Sequence, residues 1–252
     1  MVDSNCVLVI PARRRSTRLP DKLLLRAGGK TVLQHTFEAA CRTCRPDQVL
    51  IATDDGEIAR EASRFGASFV LTSADCASGT DRVAEAVRQL PEAQIIVNLQ
   101  GDEPEIDPGS IDRLVDRLQQ DRSASMATLV TPIRDRALLD DPACVKVVFD
   151  AAGRALYFSR SAIPMVRDGD LDVCLTADPP LFHQHIGVYA YRRDLLLRLA
   201  SLPPGQLEEV EKLEQLRVLE QGETILVTLV DAPTRGIDTA EDFAAFAARQ
   251  AA

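Results

Sequence analysis

The stretch that most constrains how this chain can fold is VLVIPARRRSTRLPDK, residues 7–22. Its first four residues, Val7 to Ile10, are apolar, which is typical of a strand buried on both faces of a parallel sheet. Pro11 ends the run, and a loop follows whose cations are Arg13, Arg14, Arg15, Arg18 and Lys22. Loops at the carboxyl ends of strands are where open α/β sheets bind ligands. Because crowded cations repel one another unless an anion lies among them, the loop predicts a polyphosphate site.

The charge of the whole chain narrows the class of anion. A cationic loop can simply face water, which is the usual place for a charge run. This chain, however, has 29 Lys and Arg against 38 Asp and Glu, a formal net charge of -9. A basic loop on an acidic protein suits a small anion. Nucleic acid is not expected as a partner, because binding its backbone requires an extended basic surface.

Length and composition indicate an ordinary globular protein. The 252 residues, 46% of them hydrophobic, can form one large α/β domain, predicted to span 1–252. No apolar run approaches the roughly 20 residues that span a bilayer, and no signal-peptide pattern is seen, so a cytoplasmic location and no membrane partner are expected. The six cysteines lack a second paired cluster. The C-x-x-C of Cys41 and Cys44 falls at a predicted helix end, so reduced thiols are expected.

Strands and helices alternate through the first half of the chain. The apolar patterns predict strands at 48–55, 67–72 and 94–104, and helices at 30–43, 56–66, 78–90 and 110–120. This alternation predicts a mostly parallel sheet covered on both faces.

The pattern changes after residue 123. Longer strands, two of them joined by a turn near Ala152 and Gly153, predict a small antiparallel lobe at about 130–195. A helix is predicted over 207–222, closed by Gly222, and a last helix is predicted to begin at Asp238 or Thr239. Thr239 and Asp242 have the spacing of a capping box.

Carboxylates at strand ends indicate a metal site. Gln100 and Asp102 follow the apolar run Ile95 to Leu99, and Asp238 stands in GIDTAED. Each carboxylate can also be read as a turn or helix cap. Yet Mg²⁺ commonly takes one or two carboxylates together with phosphate oxygens, so two acids beside a polyphosphate loop predict a magnesium site.

The motif SGTDR, residues 78–82, adds a helix start next to an arginine. The N–H groups of a helix start attract anions or polar base edges, which makes Ser78, Thr80 and Arg82 candidate nucleotide contacts. Ser78 or Thr80 can equally be a simple helix cap.

Taken in order, seven motifs carry a family resemblance: RRRSTRLPDK, SGTDR, VNLQGDEP, VKVVFDAAGRALYFSRSAIP, HIGVYAY, LEQLR and GIDTAEDF. Together they span nearly the whole chain and resemble the 3-deoxy-manno-octulosonate (Kdo) cytidylyltransferase, or CMP-Kdo synthetase, family. The resemblance implies an α/β, Rossmann-like three-layer nucleotidyltransferase fold with a mostly parallel central sheet and a small antiparallel lobe. It also implies transfer of CMP from CTP to the anomeric hydroxyl of Kdo, releasing pyrophosphate, for lipopolysaccharide assembly in a Gram-negative cytoplasm.

The resemblance assigns roles by position. It implies that Mg²⁺ is held by Asp102 and Asp238, and that the protein is a homodimer whose antiparallel lobe contributes to sugar binding and the interface. The catalytic residues would be Arg13, Lys22, Asp102 and Asp238. The CTP contacts would be Arg13, Ser16, Arg18, Lys22, Ser78, Thr80, Arg82 and Gln100. The sugar contacts would be Gln100, His185, Tyr189, Glu214 and Gln215, with Arg160 or Arg167 pairing with the sugar carboxylate.

Two other functions remain open from sequence. One changes the acceptor to a related acidic sugar, 8-amino-Kdo or a sialic acid. The other is a catalytically silent nucleotide-binding protein with the same fold, against which the retained Lys22, Asp102 and Asp238 argue.

Overall fold

A computed structural model describes residues 5–14, 18–231 and 236–251. Within these residues nine strands form one sheet and a further pair forms a two-stranded sheet. The strands are β1 Cys6–Ala12, β2 Arg26–Ala27, β3 Lys30–Thr31, β4 Gln48–Thr53, β5 Ser68–Leu71, β6 Ile95–Asn98, β7 Met126–Pro132, β8 Lys146–Phe149, β9 Ala155–Ser159, β10 His183–Arg192 and β11 Ile225–Leu229.

The main sheet has the order β11-β7-β10-β6-β1-β4-β5. β10 is antiparallel to both of its neighbours, β6 and β7, and the other neighbouring pairs along this path are parallel. Six of the seven strands therefore point the same way, and their carboxyl ends lie at one edge. This confirms the predicted, mostly parallel central sheet.

Helices cover both faces of the sheet. They are α1 Val32–Ala40, α2 Gly56–Arg64, α3 Gly79–Arg88, α4 Pro108–Gln120, α5 Arg136–Asp140, α6 Leu171–Thr176, α7 Arg193–Leu199, α8 Gln206–Glu211, α9 Gln215–Glu220 and α10 Ala240–Gln250. Side chains of β1 alternate between the two faces: Leu8 and Ile10 pack into a core with α1, α4 and α10, whereas Val7 and Val9 pack into a core with α3, α7 and α9. The three-layer prediction is thereby confirmed. None of the described helices has the length and hydropathy needed to cross a membrane.

The antiparallel region is continuous with the main sheet. β8 and β9 form a hairpin whose turn includes Gly153, at φ 76°, a conformation that favours glycine. β8 joins the sheet through the pair Lys146 and Gln184 on β10. A separate small core, made of Ile133, Leu139, Cys144, Leu175 and Phe182, supports this region.

Helix starts are predicted better than helix interiors. The capping box of Thr239 and Asp242 is confirmed, as is the cap at Ser78. The single helix predicted over 207–222 is wrong: Lys212 takes a left-handed conformation at φ 54° and separates α8 from α9. The break allows Arg217 to contact the Glu208 carboxylate with two nitrogens, each at 2.6 Å. In a continuous helix nine residues would separate these side chains by roughly 13 Å along the axis.

Candidate active site

Lys22 connects the parts of the predicted phosphate and metal site. It begins a short 3-10 helix, Lys22–Leu24, just after the cationic loop, and its ammonium contacts the carboxylates of Asp102 and Asp238. Nζ lies 3.0 Å from Oδ1 of Asp238 and donates to the main-chain oxygen of Ile237 at 3.0 Å. Burial alone would lower the pKa of Lys22, but the two carboxylates outweigh burial and raise it. Lys22 is therefore a fixed cation at neutral pH.

The main chain brings the two predicted metal ligands together. The N–H of Ile237 donates to the main-chain oxygen of Asp102 at 2.9 Å, which joins the loop after β6 to the segment before α10. Gly101, next to Asp102, packs closely against Leu23: a Cβ there would lie 3.2 Å from a methyl carbon of Leu23, so that side chain would have to shift by a few tenths of an ångström. The close packing of these loops fixes the position of Asp102.

One of the predicted phosphate contacts, Arg18, lies beside this group. The Arg18 guanidinium lies 3.1 Å from the Asp238 carboxylate and is 66% exposed. Arg13 is exposed immediately after β1. Ser16 lies outside the described residues, so its predicted contact with CTP stays a prediction. Arg18 and Lys22 thus share one carboxylate at the carboxyl edge of the sheet.

Arg14 is already paired within the protein. Its guanidinium lies 2.8 Å from Asp21 and 2.5 Å from Glu57, and these carboxylates raise the pKa of Arg14. The two acids compensate its charge and tie the cationic loop to the first turn of α2.

The amide of Gln100 lies against the start of α3. Ser78 caps this helix: its hydroxyl accepts from the N–H of Asp81 at 3.2 Å, and Asp81 accepts in return from the N–H of Ser78 at 3.1 Å. A Cβ at Gly79 would lie 3.5 Å from Oε1 of Gln100, an ordinary van der Waals distance, so the Gln100 amide packs against this turn. Ser78 is accordingly a cap, and Gln100 lies between the first turn of α3 and Asp102.

A small cavity lies between α3 and α9. It is lined by Ser78, Thr80, Asp81, Tyr191, Leu199, Glu214, Arg217 and Val218. The structure therefore brings Thr80, a predicted nucleotide contact, together with Glu214, a predicted sugar contact, although 134 positions separate them in the sequence.

Arg82 is committed to an internal ion pair. Its side chain is 4% exposed, with the guanidinium 3.1 Å from Asp54 and donating to Oγ1 of Thr72. Sequence reasoning did not name Asp54 as a site residue. It follows β4 directly, so it shows the same signal, an acid after a buried strand, that identified Asp102.

The predicted sugar residues of β10 and α9 form a second group. His185 is 8% exposed and its Nε2 lies 2.9 Å from Oγ1 of Thr128, while burial lowers its pKa to about 3. The rings of His185 and Tyr189 lie 5.5 Å apart. The Tyr189 hydroxyl donates to Oε1 of Gln215 at 3.4 Å, and burial raises the Tyr189 pKa. His185 is therefore a neutral hydrogen-bonding group, and Tyr189 an un-ionised one.

The two arginines predicted for the sugar carboxylate differ in their surroundings. The Arg160 guanidinium donates to the main-chain oxygens of Glu211, Pro142 and Lys212, at 2.8, 2.9 and 3.4 Å. Arg167 is 89% exposed, with only the neighbouring Asp168, at 3.6 Å, as an ion-pair partner in the part of the chain that the structure describes. The Arg160 guanidinium is thus used in hydrogen bonds within the protein, whereas the Arg167 guanidinium is available to a ligand.

The arrangement suits the binding of an anionic nucleotide beside a polyhydroxylated acid. Exposed or shared cations lie at one end, neutral donors and acceptors lie at the other, and Gln100 stands between them. The described residues contain no cluster of three or more His, Cys, Asp or Glu side chains close enough to hold a metal ion by themselves.

The chain is similar to known cytidylyltransferases. A family model described as cytidylyltransferase matches residues 7–225. A 3-deoxy-manno-octulosonate cytidylyltransferase of Rhodopirellula baltica is 53% identical, over 97% of this chain and 98% of that protein. An 8-amino-3,8-dideoxy-manno-octulosonate cytidylyltransferase of Shewanella baltica is 44% identical, over 94% of this chain and 95% of that protein.

A solved structure shows the same architecture. The CMP:2-keto-3-deoxy-manno-octonic acid synthetase complexed with CTP superposes with a TM-score of 0.90 at 39% identity, covering 98% of this chain and 99% of that one. The similarity extends over the sheet, the helices and the antiparallel region.

Proposed function

Because this chain belongs to the cytidylyltransferase family, and within it to the 3-deoxy-manno-octulosonate cytidylyltransferases, we propose that it transfers CMP from CTP to the anomeric hydroxyl of Kdo. The products are CMP-Kdo and pyrophosphate. The observation that carries the proposal is the meeting of Lys22, Asp102 and Asp238 at one point, in a chain similar to such an enzyme over nearly its whole length.

The cationic loop supplies the phosphate end of the site. Arg13, Arg18 and Lys22 bind the triphosphate, with Ser16 beside them in the sequence. As the sugar oxygen bonds to the α-phosphorus, the bond from that phosphorus to the pyrophosphate oxygen breaks and the hydroxyl proton passes to water. Negative charge grows on the phosphate oxygens during this step, so fixed cations stabilise the transition state more than the ground state.

Asp102 and Asp238 have the chemistry of a magnesium site. Both carboxylates already surround one positive charge, the Lys22 ammonium, and carboxylate oxygens are the ligands that Mg²⁺ prefers. Two protein carboxylates are enough for this ion when phosphate oxygens and water complete its shell. Bound there, Mg²⁺ would neutralise charge on the phosphates.

The second group of residues forms the acceptor end. Gln100, His185, Tyr189, Glu214 and Gln215 offer the mixture of donors and acceptors that sugar hydroxyls require. For the sugar carboxylate we favour Arg167, because the guanidinium of Arg160 is already used by main-chain oxygens.

A homodimer is part of the proposal. Exposed apolar side chains occur on the antiparallel region and next to it: Leu156, Met165, Val173 and Val210 are 61 to 85% exposed. Apolar surface of this kind is often covered by a partner subunit.

We place the reaction in the cytoplasm, the compartment where CTP is made, as a step in lipopolysaccharide assembly.

The identity of the acidic sugar is the main alternative. The similarity to an 8-amino-Kdo enzyme keeps 8-amino-Kdo as a second candidate acceptor. The further alternatives are a sialic acid as the acceptor, and a nucleotide-binding protein of the same fold without catalytic activity.

The deciding experiment is pyrophosphate release from CTP and Mg²⁺ with Kdo, 8-amino-Kdo or a sialic acid. ATP, GTP and UTP replace CTP as controls. We expect release that requires both CTP and Kdo. Release with 8-amino-Kdo but not with Kdo would change the substrate, and binding of CTP without release for any acceptor would overturn the enzymatic proposal.

A further inference from the structure

Two buried amide groups near the acceptor end have an unused donor. Asn98 is fully buried and Gln215 is 3% exposed, and among the described residues neither Nδ2 of Asn98 nor Nε2 of Gln215 has a hydrogen-bond partner. A buried polar group without a partner costs free energy, and such groups in native proteins call for an explanation. Here both amides lie near Tyr189, on the face of the sheet that α3 and α9 cover.

The strand register shows why Asn98 is on this face of the sheet. Asn98 is the last residue of β6 and lies between Val9 on β1 and Tyr189 on β10. Residues directly opposite each other in an antiparallel pair point to the same face, so Asn98 and Tyr189 are neighbours on the face covered by α3 and α9. Tyr189 in turn donates to the Gln215 amide oxygen.

The amide of Asn98 contacts Gln100. Nε2 of Gln100 donates to Oδ1 of Asn98 at 3.2 Å, while the amide of Gln100 faces the start of α3 at Gly79. Because the buried Oδ1 of Asn98 can only accept, it selects the Nε2 end of the Gln100 amide as its donor. With Nε2 held by Asn98, Oε1 of Gln100 is the end that remains to accept from a ligand.

We propose that Asn98 is a positioning residue for Gln100: its Oδ1 orients the Gln100 amide so that Oε1 accepts a hydrogen bond from a hydroxyl of the acceptor sugar. This inference rests on the proposed function and adds a residue that sequence reasoning did not name. Asn98 itself is fully buried and acts only through Gln100. It gives a role to the Oδ1 of the asparagine that ends a strand that is otherwise apolar.

The test compares Asn98→Leu, which has a similar volume but no hydrogen bond, with Asn98→Asp, which keeps an acceptor at the same place. We expect Asn98→Leu to raise KM for Kdo about tenfold, the effect of losing one hydrogen bond, with KM for CTP within about twofold of the unchanged chain. Asn98→Asp should keep KM for Kdo close to that of the unchanged chain. Thr228→Val removes another buried oxygen that has no partner among the described residues, on β11, and should leave both KM values unchanged.

A double-mutant cycle separates positioning from a general loss of structure. In a Gln100→Ala background, Asn98→Leu should have no further effect on KM for Kdo, because the residue it positions is gone. Asn98→Ala gives the same readout if the leucine variant does not fold.

The outcomes distinguish the two proposals. If the unchanged chain turns over CTP and Kdo but Asn98→Leu keeps a normal KM for Kdo, the inference about Asn98 is wrong and the proposed function stands. Equal loss in the Leu and Asp variants, or additive effects in the cycle, would also overturn it. No turnover by the unchanged chain would overturn the proposed function, and the inference with it.

Discussion

Nζ of Lys22 lies 3.0 Å from Oδ1 of Asp238, a residue 216 positions later in the chain. This contact closes the site between the first strand and the last helix. It joins a predicted phosphate-binding cation to a predicted metal-binding carboxylate.

Lys22→Met should remove most of the activity. Without the ammonium, the triphosphate loses a fixed cation, and Asp102 and Asp238 repel each other in the absence of metal. We expect kcat/KM for CTP to fall about 100-fold or more, measured by pyrophosphate release. Lys30→Met is the matched control: Lys30 pairs with Glu38 and is 44% exposed, and its loss should leave turnover unchanged. A Lys22→Met enzyme of normal activity would remove Lys22 from the mechanism.

Asp102→Ala should abolish turnover while leaving the fold intact. Its carboxylate contacts Lys22 and is a proposed metal ligand, so its loss should also end the saturable dependence of rate on Mg²⁺.

Asp107→Ala is the control in the same loop. Asp107 caps α4, and its bond with Ser110 holds the pKa of Asp107 below its usual value. This variant should lose about 1 kcal/mol in free energy of unfolding and keep its activity. Normal turnover in Asp102→Ala would contradict the proposed metal site.

His185 should make the folded protein sensitive to mild acid. Burial lowers its pKa to about 3, whereas an unfolded histidine titrates near 6.5, so between these values the unfolded chain binds a proton that the folded chain does not. The free energy of unfolding should therefore fall as the pH falls, by about 2 kcal/mol between pH 7 and pH 5 from this group. Urea unfolding at both pH values should show a smaller fall in His185→Gln. An equal fall in the two proteins would mean that folding does not lower the pKa of His185.

Substitutions of Arg160 and Arg167 should affect different properties, the first stability and the second sugar binding. Arg160→Gln loses hydrogen bonds to three main-chain oxygens and should lower the free energy of unfolding by about 2 kcal/mol. Arg167→Gln should leave stability unchanged, because its side chain is 89% exposed, and should raise KM for Kdo about tenfold or more without changing KM for CTP. A selective rise in KM for Kdo in Arg160→Lys at unchanged stability would instead assign the sugar carboxylate to Arg160.

Local signals in the sequence predicted the fold well. Apolar runs predicted the parallel strands, because strands covered on both faces must be apolar throughout. Ser78 and Thr239 marked helix starts, because a capping side chain satisfies main-chain N–H groups next to it in the chain. The interrupted helix around Lys212 was not predicted, because the contact between Glu208 and Arg217 that accompanies the break becomes available only when α9 folds back toward α8.

The sequence by itself determined which residue types stand at the strand ends: the cations of the first loop, Asp102 after β6 and Asp238 before α10. Only the tertiary structure decided how these groups are used. Arg82 turned toward Asp54, Arg160 toward main-chain oxygens, and Asn98 toward Gln100. The physical reason is range: apolar periodicity and helix caps act between neighbours in the chain, whereas an ion pair or a buried hydrogen bond depends on which distant segments the sheet order and register place side by side.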